Sequence, residues 1–282
     1  GNYTGDRALA SKVLRMRYYW PTLRRDCVAY ANKCDGSQRH VPLIHQPSVQ
    51  LHTIFAPWPF MKWGMDIVGK LPQAPGGKVF MLDMTCYFSK WIEAEAYKSV
   101  TENQVISFIK RCIICRYDIP SEIICDNGTQ FVGKKNTDYS RRWGIKLITF
   151  TQSFPQANGQ AESSYKIVVG CLKNKLDAKR GKWVEEMSFV LWEDRTTPKN
   201  STGQTPYSLV YGCEAVLPSE LKIPTVRSVF NTVEENTPLL IDYLDTINEL
   251  RAQAIVSLAS YHKAIAKLYN KNVRVRTLRV GD

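Results

Sequence analysis

Trp63-Gly64-Met65-Asp66-Ile67-Val68 is an apolar run with one acid in its middle. Such a run reads as a β-strand, and an acid inside it is costly to bury unless something compensates its charge. Two more stretches set an acid in a comparable frame. Ile123-Ile124-Cys125-Asp126-Asn127-Gly128 reads as a short buried strand ending in an acid at a turn, and Pro155-Gln156-Ala157-Asn158-Gly159-Gln160-Ala161-Glu162 reads as a mobile loop entering a helix with Glu162 in its first turn. Between Asp126 and Glu162 lie 35 residues. With 26 acids in the chain that spacing alone decides nothing, so the flanking words carry the specificity. Each acid also has a plainer reading: Asp126 as a turn former before Asn127-Gly128, Glu162 as a first-turn acid favoured by the helix dipole.

From Lys62 onward the pattern is that of strands. Residues 63–69, a Gly76-Gly77 turn, 79–85 and 90–96 lie close enough together for an antiparallel meander. Thr101-Glu102-Asn103-Gln104 has the form of a capping box and opens an amphipathic helix through Arg116 that buries Val105, Phe108, Ile109 and Cys112. Ile119-Pro120 stops it, and the strand ending at Asp126 follows. A helix near 134–143, a strand over 146–150, the loop 151–159 and a long helix from Gln160 to about Ala178 complete a βββαβαβα order. That order describes an α/β domain with helices packed on a mixed sheet. A helix near 183–193 and a turn-rich stretch to about Pro218 are expected next.

The flanks differ from this core. Residues 6–33 alternate basic and apolar positions at helical spacing, broken by Pro21, and a polar, proline-bearing stretch over 38–59 reads as a linker. Residues 238–270 form a long amphipathic pattern with Leu240, Leu244, Ile247, Ala254, Leu258, Tyr261, Ile265 and Leu268 on its apolar side and Arg251 interrupting the series. This is either a coiled-coil arm or a helix lying on its own domain. Residues 273–280 alternate apolar and basic and look like the first strand of a truncated C-terminal β domain. Three units are expected: 1–50, a small helical domain; 51–222, the α/β core; and 223–282, the long helix and the start of the β unit.

A composition of 44% hydrophobic and 23% charged residues over 282 positions is that of a globular chain and argues against disorder throughout. The net charge of +12 favours a polyanionic partner, nucleic acid first, because each Lys or Arg near a phosphate releases a condensed counterion. The eight cysteines lie mostly inside apolar runs, which fits a reducing compartment better than a disulfide scaffold. Cys112-Ile113-Ile114-Cys115 has C-x-x-C spacing, but on an apolar helix face it reads as core packing. Trp58, Trp63 and Trp91 read as core or sheet-packing residues. No signal-peptide pattern and no apolar run of the roughly 20 residues a bilayer demands is present, so a soluble, intracellular protein with no membrane partner is expected.

Phosphodiester transfer needs cations close to the attacking and leaving oxygens, and two divalent ions about 3.5–4 Å apart meet that need. Magnesium prefers hard oxygen ligands, whereas His and Cys would select zinc. Asp66, Asp126 and Glu162 offer oxygens only. If the first two of these strands neighbour in the sheet and the Glu162 helix packs across their ends, the three carboxylates converge.

Taken with Tyr18-Tyr19-Trp20-Pro21, Asp126-Asn127-Gly128-Thr129-Gln130-Phe131, Arg195-Thr196-Thr197-Pro198 and Thr205-Pro206-Tyr207, these words closely resemble the integrases of gypsy-class long-terminal-repeat retrotransposons, plant polyproteins in particular. The resemblance covers nearly the whole chain. It implies a ribonuclease-H-like core, a mixed five-stranded sheet with flanking helices, between a zinc-binding N-terminal domain and a small C-terminal β-barrel. It further implies Asp66, Asp126 and Glu162 as catalytic ligands of two Mg²⁺ or Mn²⁺ ions, and a reaction in two steps, 3′-end processing of the element's DNA and strand transfer into a target. Double-stranded DNA is the implied partner, a homo-oligomer the implied assembly, and the nucleus the implied place of action on chromosomal DNA, with the cytoplasm otherwise. Asn158, Gln160, Lys166 and Lys173 are the candidates for contacting the DNA end.

The chain departs from that family at several positions. Of the zinc ligands only Cys34 is retained: Ser37 stands where the second Cys belongs, Tyr3 where the second His belongs, and the first His would precede Gly1, so zinc binding is expected to be lost. Cys86 stands where the family often has Asp, Asn136 replaces an apolar residue, and Glu193-Asp194 replaces a small-aromatic pair. A buried amide without a partner can cost several kcal/mol. A catalytically inactive or repurposed DNA-binding relic is therefore the alternative, and a ribonuclease H acting on RNA·DNA hybrids is a third reading that the loop at 151–159 disfavours.

Overall fold

The computed structural model describes residues 6–33, 56–150, 183–217 and 233–270. Within them the chain runs α1 (Asp6–Arg15), α2 (Leu23–Lys33), β1 (Lys62–Val68), β2 (Phe80–Cys86), β3 (Ile92–Tyr97), α3 (Glu102–Phe108), β4 (Glu122–Asp126), α4 (Thr129–Val132), α5 (Lys134–Arg142), β5 (Lys146–Phe150), α6 (Trp183–Arg195), α7 (Pro206–Tyr211) and α8 (Val233–Asn270). The five strands form one mixed sheet in the order β3-β2-β1-β4-β5. Strands β1, β2 and β3 are the expected antiparallel meander, and β4 and β5 join β1 in parallel. Gly76 and Gly77, with φ of 76° and 71°, turn the chain between β1 and β2 through a left-handed region that side chains with a Cβ resist.

The sheet buries two layers. On one face Trp63 and Met65 of β1, Leu82 and Met84 of β2 and Ile123 and Cys125 of β4 pack against Val105, Phe108, Ile109 and Ile113. On the other, Val68, Met81, Ile92 and Ala96 pack beneath Trp183, Met187, Val190 and Leu191 of α6. The helix opening at Thr101 has the expected capping box, with Gln104 Oε1 accepting from the Thr101 N–H at 2.8 Å. It ends in a wide π turn over Ile109–Ile114, closed by the Cys115 N–H donating to the Lys110 carbonyl at 3.0 Å. In that turn the two cysteines do not share a face: Cys112 is buried as expected, while Cys115 is exposed.

Pro21 separates α1 from α2, which close on a small core of Ala10, Leu23 and Cys27. Arg15 ties this pair to the rest by an ion pair with Glu214. The last helix begins at Val233 rather than near Pro238, and its middle lies on the domain, with Ala254 and Leu258 buried. Arg251, the break in the apolar series, has a purpose: its guanidinium donates to the Leu209 carbonyl at 3.1 Å and the Val210 carbonyl at 3.4 Å at the end of α7. Gly212 follows with φ of 79°, and a Cβ there would meet the Tyr243 carbonyl oxygen of α8 at 2.9 Å. The expected helix over 160–178, the strand over 273–280 and most of the expected linker lie outside the described residues. Among those residues no helix is long and apolar enough to cross a membrane.

Candidate active site

The parallel pairing of β1 with β4 runs from Lys62 opposite Glu122 to Gly64 opposite Ile124. Asp66 and Asp126 each lie two residues beyond the last pair, so period-two alternation puts both on one face of the sheet. The Lys62 ammonium and Glu122 carboxylate, 2.9 Å apart, clasp the start of this register. Asp66 is half-buried and its Oδ1 accepts from the Ile67 N–H at 2.8 Å. Asp126 is exposed, and its Oδ1 accepts from the Gly128 N–H at 2.9 Å. A Cβ at Gly128 would stand 2.9 Å from Asp126 Oδ1 and 2.3 Å from Gln130 Nε2, so a side chain there would displace Gln130 and crowd the acid. Asp126 is thus a turn former and a site candidate at once.

A third acid shares this face and escaped the sequence reading. Asp83 of β2 is paired directly with Asp66. It is only 2% exposed, and its Oδ1 has no hydrogen-bond partner. Burial first, and the charge of Asp66 second, push its carboxyl well above the usual carboxylate range. The signal was available: Met81-Leu82-Asp83-Met84 is an acid inside an apolar strand, as is the word around Asp66. Asp66, Asp83 and Asp126 offer the kind of oxygen ligand a hard divalent ion takes, from three neighbouring strands. Cys125 is no competing ligand, because burial holds its thiol protonated, pushed up to about 12. Among the described residues no three His, Cys, Asp or Glu side chains gather closely enough to hold an ion. Glu162, Asn158, Gln160, Lys166, Lys173 and Cys34 lie outside those residues.

On the β3 edge a cleft of about 460 Å³ is lined by Trp91, Glu93, Arg116, Tyr117, Arg195 and Tyr211, among others. Here the tryptophans separate. Trp63 and Trp91 are buried as expected, whereas Trp58 is 59% exposed, which corrects its reading as a core residue: it precedes β1 and no strand carries it into the sheet. The departures at Cys86 and Asn136 are partly accommodated. The buried Cys86 Sγ accepts from the Phe60 N–H at 3.2 Å. Asn136 is fully buried, with Nδ2 donating to the Phe131 carbonyl at 2.6 Å and Oδ1 left without a partner. Asp194 pairs with Lys199.

Residues 56–152, from just before β1 to just past β5, match the integrase core domain family. Over 244 residues the chain is 23% identical to the Tf2-3 transposon polyprotein of Schizosaccharomyces pombe, covering 86% of this chain and 18% of that polyprotein. It therefore spans under a fifth of the relative it matches. In structure it is similar to a chain of the simian T-cell lymphotropic virus intasome solved in complex with the PP2A regulatory subunit B56 gamma, with a TM-score of 0.52, 17% identity and coverage of 79% of this chain and 80% of that one. The catalytic core domain of BIV integrase is also similar, at a TM-score of 0.43 and 21% identity over 53% of this chain and 92% of that one. With its five-stranded ribonuclease-H-like sheet and the match over 56–152, this part of the chain is an integrase core domain.

Proposed function

We propose that this chain processes the 3′ ends of an element's DNA and joins them to a target duplex, with Asp66, Asp126 and Glu162 holding two divalent ions, Mg²⁺ or Mn²⁺. The observation that carries the reading is the β1–β4 pairing that sets Asp66 and Asp126 on one face inside the matched integrase core. Bound ions would stabilise charge on the attacking and leaving oxygens. The chain's own part is to hold the carboxylates in register, Asp66 from mid-strand and Asp126 from the Gly128-braced turn, and to position the DNA. In each step an oxygen, first of water and then of the freed 3′-hydroxyl, attacks phosphorus in line while a 3′-oxygen leaves. Asn158, Gln160, Lys166 and Lys173 are assigned to the DNA end, and the net charge of +12 supports duplex DNA as partner. A homo-oligomer acting in the nucleus, an N-terminal unit over 1–50 without zinc, a core over 51–222 and a C-terminal unit over 223–282 complete the proposal.

Strand transfer with matched terminal-repeat DNA in Mg²⁺ tests it. Asp66→Asn and Asp126→Asn should each lower the rate by about 10²–10³-fold, since a metal-held charge is worth several kcal/mol in the transition state. Joining that survives Asp126→Asn rejects the reading. Duplex binding with steep salt dependence but no joining at any metal concentration would favour the inert DNA-binding alternative, which Tyr3 and Ser37 in zinc-ligand places and the half-satisfied Asn136 support.

A further inference from the structure

Asp83 occupies the middle of an inner strand, between Leu82 and Met84, with Asp66 of β1 opposite on one side and Ala94 of β3 on the other. Its neighbours on this face include Val68, Met81 and Ala96, members of the apolar layer beneath α6. At 2% exposure it is shut off from water, and its Oδ1 has no partner. A buried polar oxygen left unmatched costs stability, and a buried charge costs more.

What faces it makes the position worse for an empty protein. Directly opposed residues of an antiparallel pair hold their Cβ atoms about 4.5–5.5 Å apart on the same face, and like charges there repel. A cation between the two carboxyls would reverse both penalties at once, giving the free oxygen a partner and turning mutual repulsion into shared attraction. Asp66 is already the acid assigned to the ions.

We propose that Asp83 is a fourth carboxylate of the metal centre, its free oxygen serving with Asp66 to hold a divalent cation on the β1–β2 side of the site. The proposal rests on the reading of Asp66, Asp126 and Glu162 as ligands and deepens it by adding an oxygen from β2, a strand that reading leaves unused. Hard divalent ions take several oxygen ligands, and added carboxylate charge raises affinity. The consequence is a protein whose core is penalised without metal and relieved with it.

The full 282-residue chain, freed of metal by chelation, is titrated with MnCl₂. Bound ion is read from loss of the free-Mn²⁺ electron paramagnetic resonance signal, and melting temperatures are recorded with and without the ion. Asp83→Asn and the apolar Asp83→Val are compared with Asp138→Asn, which removes a carboxylate on α5. Both Asp83 variants should bind Mn²⁺ about 10-fold or more weakly, and the rise in melting temperature that Mn²⁺ gives should shrink, while Asp138→Asn titrates as the parent does. Metal-free Asp83→Val should melt at or above the parent, which keeps a folded variant available if the amide is poorly tolerated. A folded Asp83 variant that binds Mn²⁺ as tightly as the parent overturns the proposal and leaves Asp83 a buried, protonated acid. Asp66→Asn separates the two readings. Binding lost there but kept in the Asp83 variants overturns the role of Asp83 alone, whereas a parent chain that binds no Mn²⁺ overturns the metal centre itself.

Discussion

Glu93 and Asp83 are both buried acids on adjacent strands, 4% and 2% exposed, yet the chain treats them in opposite ways. Glu93 receives the Trp91 indole N–H at 3.0 Å, the Arg116 guanidinium at 3.0 Å, the Arg195 guanidinium at 2.9 Å and the Tyr117 hydroxyl. Asp83 receives nothing at its Oδ1 and faces another acid. Desolvation penalises both, so the difference lies in what the rest of the sequence supplies. An acid that serves the fold is delivered with its own cations and donors. One buried without them fits a site whose partner comes from outside the chain.

The largest break in this comparison is at Arg195. Its guanidinium spans Glu93 and the Ile92 carbonyl, the latter at 2.6 Å, and lies 4.4 Å from the centre of the Trp91 ring, so it pins the end of α6 to β3. Arg195→Ala should lower stability by about 3 kcal/mol, because it leaves a buried charge short of a partner. Urea unfolding measures the loss. A value within error of zero would show that Arg116, the Trp91 indole and the Tyr117 hydroxyl satisfy Glu93 without it.

Much of this fold could be read from residue pattern, for local reasons. Alternation gave β1 to β3, the Gly76-Gly77 turn their connection, and the helix opening at Thr101 its boundary. The pairing of β4 and β5 with β1 in parallel depends on the core layers and not on neighbouring words. The candidate site divides in the same way. Asp66 and Asp126 announce themselves because each breaks an apolar run, and Asp83 does so too, but its meaning emerges only when the β1–β2 register sets it against Asp66. The Glu93 network draws donors from β3, the segment after the π turn and α6, which no local pattern joins. Trp58 shows the converse error: an aromatic near a strand was given a core place that its backbone does not reach.

The comparison sharpens at Asp83. In metal-free buffer at neutral pH, Asp83→Val should raise stability by about 1–3 kcal/mol, since it removes a buried acid with an unmatched oxygen. The gain should depend on pH. The folded-state carboxyl titrates above its ordinary value of 3.8, so the unfolded chain ionises first. The stability this group allows is fully present below that value and is lost as pH rises toward the folded-state value. The advantage of valine should therefore narrow as the solution is acidified toward 3.8 and be widest at neutral pH. Urea midpoints of parent and variant across that range measure it. A pH-independent difference would mean that packing and not ionisation sets the effect.

The smallest effect is expected at Tyr117, where one neutral donor to Glu93 can be removed without moving the ring. Tyr117 stacks on Phe60 at 4.4 Å between centroids, a contact that phenylalanine keeps. Tyr117→Phe deletes only the hydroxyl, and Glu93 retains the Trp91 indole and both guanidinium groups. The cost should be about 1 kcal/mol, the net worth of one hydrogen bond, and below that of Arg195→Ala in the same urea assay. If the order reversed, the hydroxyl and not the ion pairs would be what makes Glu93 tolerable in the core, and the contrast with Asp83 would rest on a donor rather than on charge.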